Sequence, residues 1–96
     1  MEAQSERESL IRIVDFGDEV DQFIKSRVGQ YMLQMASIHV EEAVDKLKYI
    51  EPTEVIEIRK LQNKIWVAEN VQQWLLEAVH SGLQAMARLE ESENES

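Results

Sequence analysis

Residues 49–62, YIEPTEVIEIRKLQ, decide how the chain folds, because they carry its only proline between two runs of helical spacing. Proline has no N–H to give a helix interior and drives its predecessor out of the α region, yet it is tolerated in or just before a first turn. Pro52 therefore separates two helices. Thr53 is placed to cap the second one, with Glu54 and Glu57 in the first turn, where the helix dipole favours negative charge. From there Ile58, Leu61, Ile65, Ala68, Leu75, Val79, Met86 and Leu89 recur at 3-4 spacing, interrupted only by Gln72 and Gly82. The spacing predicts one helix over 53–90, on the order of 55 Å long at about 1.5 Å per residue.

Upstream, Leu33, Ala36, Val40, Ala43, Leu47 and Ile50 form a second seam that ends at the proline. A short loop forces antiparallel neighbours. The fold class expected is all-α: a long antiparallel helical hairpin, residues 18–50 and 53–90, preceded by a short N-terminal segment.

A further stripe, Ile24, Val28, Tyr31, Met35 and Ile38, runs at 4-3-4-3 spacing roughly opposite the Leu33–Ile50 seam on a wheel of about 100° per residue. One helix cannot bury both stripes against one partner. Either Gly29 kinks or breaks the helix and residues 18–28 fold back, or the helix is continuous and the extra stripe meets another subunit. The second helix favours the latter. Past Ile65 its apolar arc widens to take in Val67, Val71, Trp74, Ala78 and Ala85, about 200° where a single contact uses about 100°. Apolar surface of this kind marks interfaces. The expected oligomer is a homodimer forming a four-helix bundle, its interface drawn from Ile24, Val28, Tyr31, Met35, Ile38, Val67, Val71, Trp74 and Ala78.

Residues 1–17 read as an arm or a short helix: Ser5 and Glu8 have capping-box spacing, while LIRIVDF has no clear period. Asp18, after Gly17, is placed to cap the first long helix. The hairpin domain then spans 18–90, and 91–96 form an acidic flexible tail.

At 96 residues the chain is one small domain whose core gains from oligomerisation. Its 44% hydrophobic and 30% charged content is globular. No apolar run is long enough for a membrane span, and the acidic start lacks the order of a secretory signal, so a cytoplasmic setting is expected. The absence of cysteine excludes disulfides, thiolate metal sites and cysteine nucleophiles. A net charge of -9 repels phosphate backbones and favours basic partners, which argues against direct nucleic-acid binding.

Little in the sequence suggests chemistry. Glu77 and His80 have the Glu-x-x-His spacing of di-iron bundles, but both fall on the polar arc, and His39 lies opposite residues near 64 in the hairpin. Asp15, Asp18, Glu19 and Asp21 lack the calcium-loop signature and read as charges at a helix start. Glycine-rich phosphate loops and a scaffolded Ser/His nucleophile are missing. No catalytic residue, metal site or cofactor is expected. Trp66, among Gln62, Glu69 and Gln73 on the polar arc, is the candidate anchor for a partner, unless a neighbouring subunit or the N-terminal arm covers it. Lys46, Lys48, Arg59, Lys60 and Lys64 gather at the turn with acidic residues interleaved, as surface pairs.

The runs FIKSRVGQYMLQMA, IEPTE and IRKLQNKIWVAENVQQWLLEAVHSGLQAMARL resemble small, uncharacterised all-helical proteins of tailed bacteriophages over about residues 23–89. The resemblance implies a phage or prophage origin and a host-cell cytoplasmic setting, and carries no catalytic residue with it. The function expected is a non-enzymatic assembly or adaptor module that binds itself and an unidentified protein. The alternative is an acidic inhibitor of a host nucleic-acid-binding or defence enzyme.

Overall fold

The computed structural model describes residues 2–95. Residues 1 and 96, the outermost positions of the expected N-terminal segment and tail, lie outside it. The described residues form three α-helices and no strand: α1 (Glu2–Lys25), α2 (Arg27–Tyr49) and α3 (Val55–Glu95). They divide into two contact units. Unit 1 joins α1 and Ser26 to the part of α3 from Trp74 onward; unit 2 joins α2 and the turn to α3 as far as Gln73.

Unit 2 contains the hairpin that Pro52 demands. The Glu54 N–H donates to the Glu51 carbonyl at 3.0 Å, closing a four-residue turn with Pro52 in its second place, the position that a fixed φ near -65° suits. Among the described residues no non-glycine residue has positive φ, so Thr53 does not adopt the backbone a type II turn requires. The Ile58 N–H donates to the Glu54 carbonyl at 3.0 Å, which makes Glu54, and not Thr53, the residue flanking the helix start. Glu57 stands in the first turn as expected. The seam follows the spacing closely. Leu33, Ala36, Val40, Leu47 and Ile50 are half-buried and Ala43 is 2% exposed; across from them Ile58, Ile65, Ala68 and Gln72 are half-buried and Leu61 is 4% exposed.

Unit 1 corrects several expectations. Residues 2–25 form one uninterrupted helix, so Asp18 caps nothing, Ser5 and Glu8 lie inside the helix, and the expected boundary at 18 falls in its middle. Asp15, Asp18, Glu19 and Asp21 are accordingly mid-helix residues. The α1 residues Leu10, Val14, Gly17, Asp21 and Ile24 are all covered to some degree, at 4-3-4-3 spacing, with Val20 beside them at 7% exposure. They meet Leu75, Ala78, Val79, Gly82, Ala85 and Leu89, the less exposed face of α3 in this unit. The direction is antiparallel. Glu6 accepts a 2.7 Å hydrogen bond from Arg88 near one end, and Gly17 meets Gly82 further along.

That meeting is a close approach of backbones. A Cβ on Gly17 would lie 3.0 Å from both the Ala78 carbonyl oxygen and the Gly82 Cα; one on Gly82 would lie 3.1 Å from the Gly17 Cα. Glycine stands on both sides because any side chain would fill the space between the helices.

The continuous helix expected over 18–50 is also corrected. It is interrupted at Ser26, whose N–H and Oγ both donate to the Phe23 carbonyl, at 3.1 and 2.6 Å. A serine hydroxyl competing for a backbone carbonyl supplies the local alternative to the helical ladder. Gly29, the expected breaking point, is a buried residue inside α2. At the other end α3 continues to Glu95, so residues 91–95 are helical where a flexible tail was expected. Arg7 lies 3.7 Å from Glu93, and Ala3, Arg7, Leu10, Glu91 and Ser92 line a common groove. The long α1 supplies contacts and positive charge that the sequence reading, with its short N-terminal segment, did not provide for.

Candidate interaction surface

The residues covered in α1 set a rhythm, 10-14-17-21-24, which the sequence continues at the same spacing as Val28, Tyr31, Met35 and Ile38. Beyond Ser26, however, α2 covers a different set, starting from Gly29 and Leu33. The continued stripe is left largely exposed: Val28 and Tyr31 are each 63% exposed, Met32 and Ile38 are exposed, and Met35 is half-buried. Its centre lies roughly 140° around α2 from the seam at about 100° per residue.

On α3, Val67 and Val71 are exposed and lie more than about 90° from their seam, in the same rotational sense. In an antiparallel pair, offsets of the same sense put both sets on one side of the hairpin. The groove lined by Ala36, His39, Lys60, Lys64, Val67 and Ala68 opens on that side. It also places His39 opposite Lys64, as the hairpin register required.

Two residues assigned to the surplus stripe belong elsewhere. Ile24 is half-buried in the covered face of α1, and Ala78, whose carbonyl lies against Gly17, is half-buried beneath α1. Much of the width of the α3 arc past Ile65 is thus used inside the chain, with Ala85 at 4% exposure a further case. Trp74, at 56%, stays exposed on the arc. Trp66 is 61% exposed, and its carbonyl accepts a 2.8 Å hydrogen bond from the Asn70 side chain.

Charge divides unevenly between the units. Unit 1 holds twelve of the nineteen acidic residues and four of the ten basic ones, a net of -8; unit 2 holds seven and six, a net of -1. The ion pairs Arg7–Glu93, Arg88–Glu6 and Lys25–Asp21 all lie in unit 1. Lys25 is held above the usual lysine value of 10.5, chiefly by its hydrogen bond to Asp21 and then by that carboxylate's charge.

Among the described residues no group of three or more His, Cys, Asp or Glu side chains is placed to hold a metal ion, and Glu77 and His80 are both exposed on α3. Among the described residues no helix is long and apolar enough to cross a membrane. Compared with protein-family models, with curated proteins and with solved structures, the chain matches none.

Proposed function

We propose that the protein is a non-enzymatic helical interaction module that pairs with a second copy of itself and, so assembled, presents Trp66 and its polar helix faces to another protein. A phage-encoded assembly or adaptor protein acting in the host cytoplasm is the setting that its resemblance to helical phage proteins suggests. The observation that carries the reading is apolar exposure within unit 2. Val28 and Tyr31 are each 63% exposed, and Met32, Ile38, Val67 and Val71 are exposed as well. Apolar surface gathered in this way marks protein interfaces. Consistent with this, no large side chain among the described residues is fully buried, so the core of a single chain is thin. Shared burial is the usual remedy for a chain this small.

A second reading rests on the concentration of charge in unit 1. A surface of net -8 suits an inhibitor that occupies the basic nucleic-acid site of a host enzyme. Native mass spectrometry of the protein isolated from its producing cells, over a salt series, separates the two. The adaptor reading expects a dimer with a bound protein retained at high salt. A partner that leaves steeply as salt rises favours the inhibitor, and a bare single chain at every salt concentration overturns the adaptor reading.

A further inference from the structure

Several apolar surfaces compete as the site of self-association: the α2–α3 face of unit 2, the turn end of unit 2 with Tyr49, Val55 and Ile56, the Trp66 indole, and in unit 1 the exposed Phe16 and Leu83. Tyr49, Val55 and Ile56 are interleaved with the charged Lys48, Glu51, Glu54 and Glu57. Trp66 is a single side chain among polar neighbours, too small to close a dimer. Phe16 and Leu83 belong to the unit of net -8, so pairing two copies through either would bring two strongly acidic bodies together. Unit 2 is nearly neutral, and its stripe is long: Val28, Tyr31, Met35 and Ile38 on α2, with Val67 and Val71 on the same side of α3.

We infer that the second copy docks on this face of unit 2, across a two-fold axis, so that the α2 and α3 segments of unit 2 from both chains form a four-helix bundle. The inference rests on the self-association proposed above and assigns it to one surface.

Three observations on this unit support the occupant chosen. The stripe is apolar from Val28 to Ile38, with His39, Lys60 and Lys64 flanking it, and an apolar patch of this kind is complementary to itself, as a two-fold contact requires. The net charge of -1 on each unit lets two copies approach without the repulsion that unit 1 would impose. The interior of unit 2 is also thin, because within its hydrophobic seam only Ala43 and Leu61 are buried. A facing hairpin would place a second apolar layer over Tyr31 and Met35, the arrangement by which four-helix bundles complete a core.

The test compares the full-length protein with a Tyr31→Lys/Val71→Lys variant, a Val28→Lys variant and a Leu83→Lys control, using light-scattering mass across a dilution series and helix content from circular dichroism. All four altered side chains are exposed in the single chain, so helix content should be preserved. The inference expects a dimer for the parent and for Leu83→Lys. For the unit 2 variants it expects a dissociation constant raised at least about 100-fold, as charge at the centre of an apolar contact demands. Unit 2 variants that dimerise like the parent overturn it, as does a Leu83→Lys variant that falls apart; in either case self-association itself stands and only its address is wrong. A parent that remains a single chain throughout overturns both the inference and the function it rests on.

Discussion

Adding one methyl group at Gly17 or Gly82 tests the packing of unit 1, and the sign of the effect is informative. In a helix with free space around it, Gly→Ala stabilises by about 1 kcal/mol, through the higher helix propensity of alanine. Here the new Cβ of Gly17→Ala would sit 3.0 Å from the Ala78 carbonyl oxygen and 3.0 Å from the Gly82 Cα. Carbon contacts are at their best near 3.5–4.0 Å, so the helices must part by roughly 0.5–1 Å at the crossing. Such a gap forfeits a quarter to a half of the dispersion energy of the contacts around it, and overpacking of this kind costs about 1–3 kcal/mol. Neither obstacle is a flexible side chain that could swing aside; both are backbone. Less the propensity gain, the net is a loss of about 1 kcal/mol, or about 4–8 °C in Tm for a domain of this size. Gly17→Leu, with no room for its branch, should lose several times as much. Thermal unfolding by circular dichroism at one fixed protein concentration measures this and keeps any coupling to association constant. A Gly17→Ala variant that melts higher than the parent would refute the close crossing of α1 and α3.

Other expectations follow from the same geometry. Leu61→Ala, at the most buried large side chain of unit 2, should lower stability by about 2–5 kcal/mol in urea unfolding. Pro52→Ala should cost only about 0.4–1 kcal/mol, because Pro52 is exposed and acts mainly by restricting the unfolded chain. The Asp21–Lys25 pair, at 2.9 Å, raises the lysine's folded value, so its contribution is complete below 10.5 and is lost as pH rises through the raised value. Asp21→Asn should therefore flatten the alkaline limb of the stability profile, slightly, since both side chains are exposed to water. Arg88→Ala should cost less than about 1 kcal/mol, and high salt should erase the difference.

The hairpin of unit 2 was legible because each signal in it is local. Pro52 marks the turn, and two 3-4 rows of Leu, Ile, Val and Ala, broken in this unit only at Gln72, mark the faces. The packing of α1 was not, and the reason lies in its composition. Two of the five positions on its covered face are Gly17 and Asp21, which carry no apolar signal, so LIRIVDF gave no period and Gly17 looked like punctuation before a cap. Gly82 likewise looked like a gap in the α3 seam. Each glycine is the other's partner, and a backbone contact of this kind becomes visible only when both helices are placed side by side. Composition points to Gly29 as the break, because glycine weakens a helix by propensity, whereas Ser26 interrupts it through a specific hydrogen bond to Phe23 that composition does not reveal. Part of the wide apolar arc on α3, at Ala78 and Ala85, serves α1. What remains exposed, Val28, Tyr31, Ile38, Val67, Val71 and Trp74, is the part that intrachain packing does not explain.

The mass of the protein in solution, followed by sedimentation velocity from high micromolar to low nanomolar concentration, bears most directly on that remainder. Pairing through unit 2 predicts twice the chain mass of 11.2 kDa at the upper end and a concentration-dependent fall to the single chain. A particle of 11.2 kDa at every concentration would contradict it.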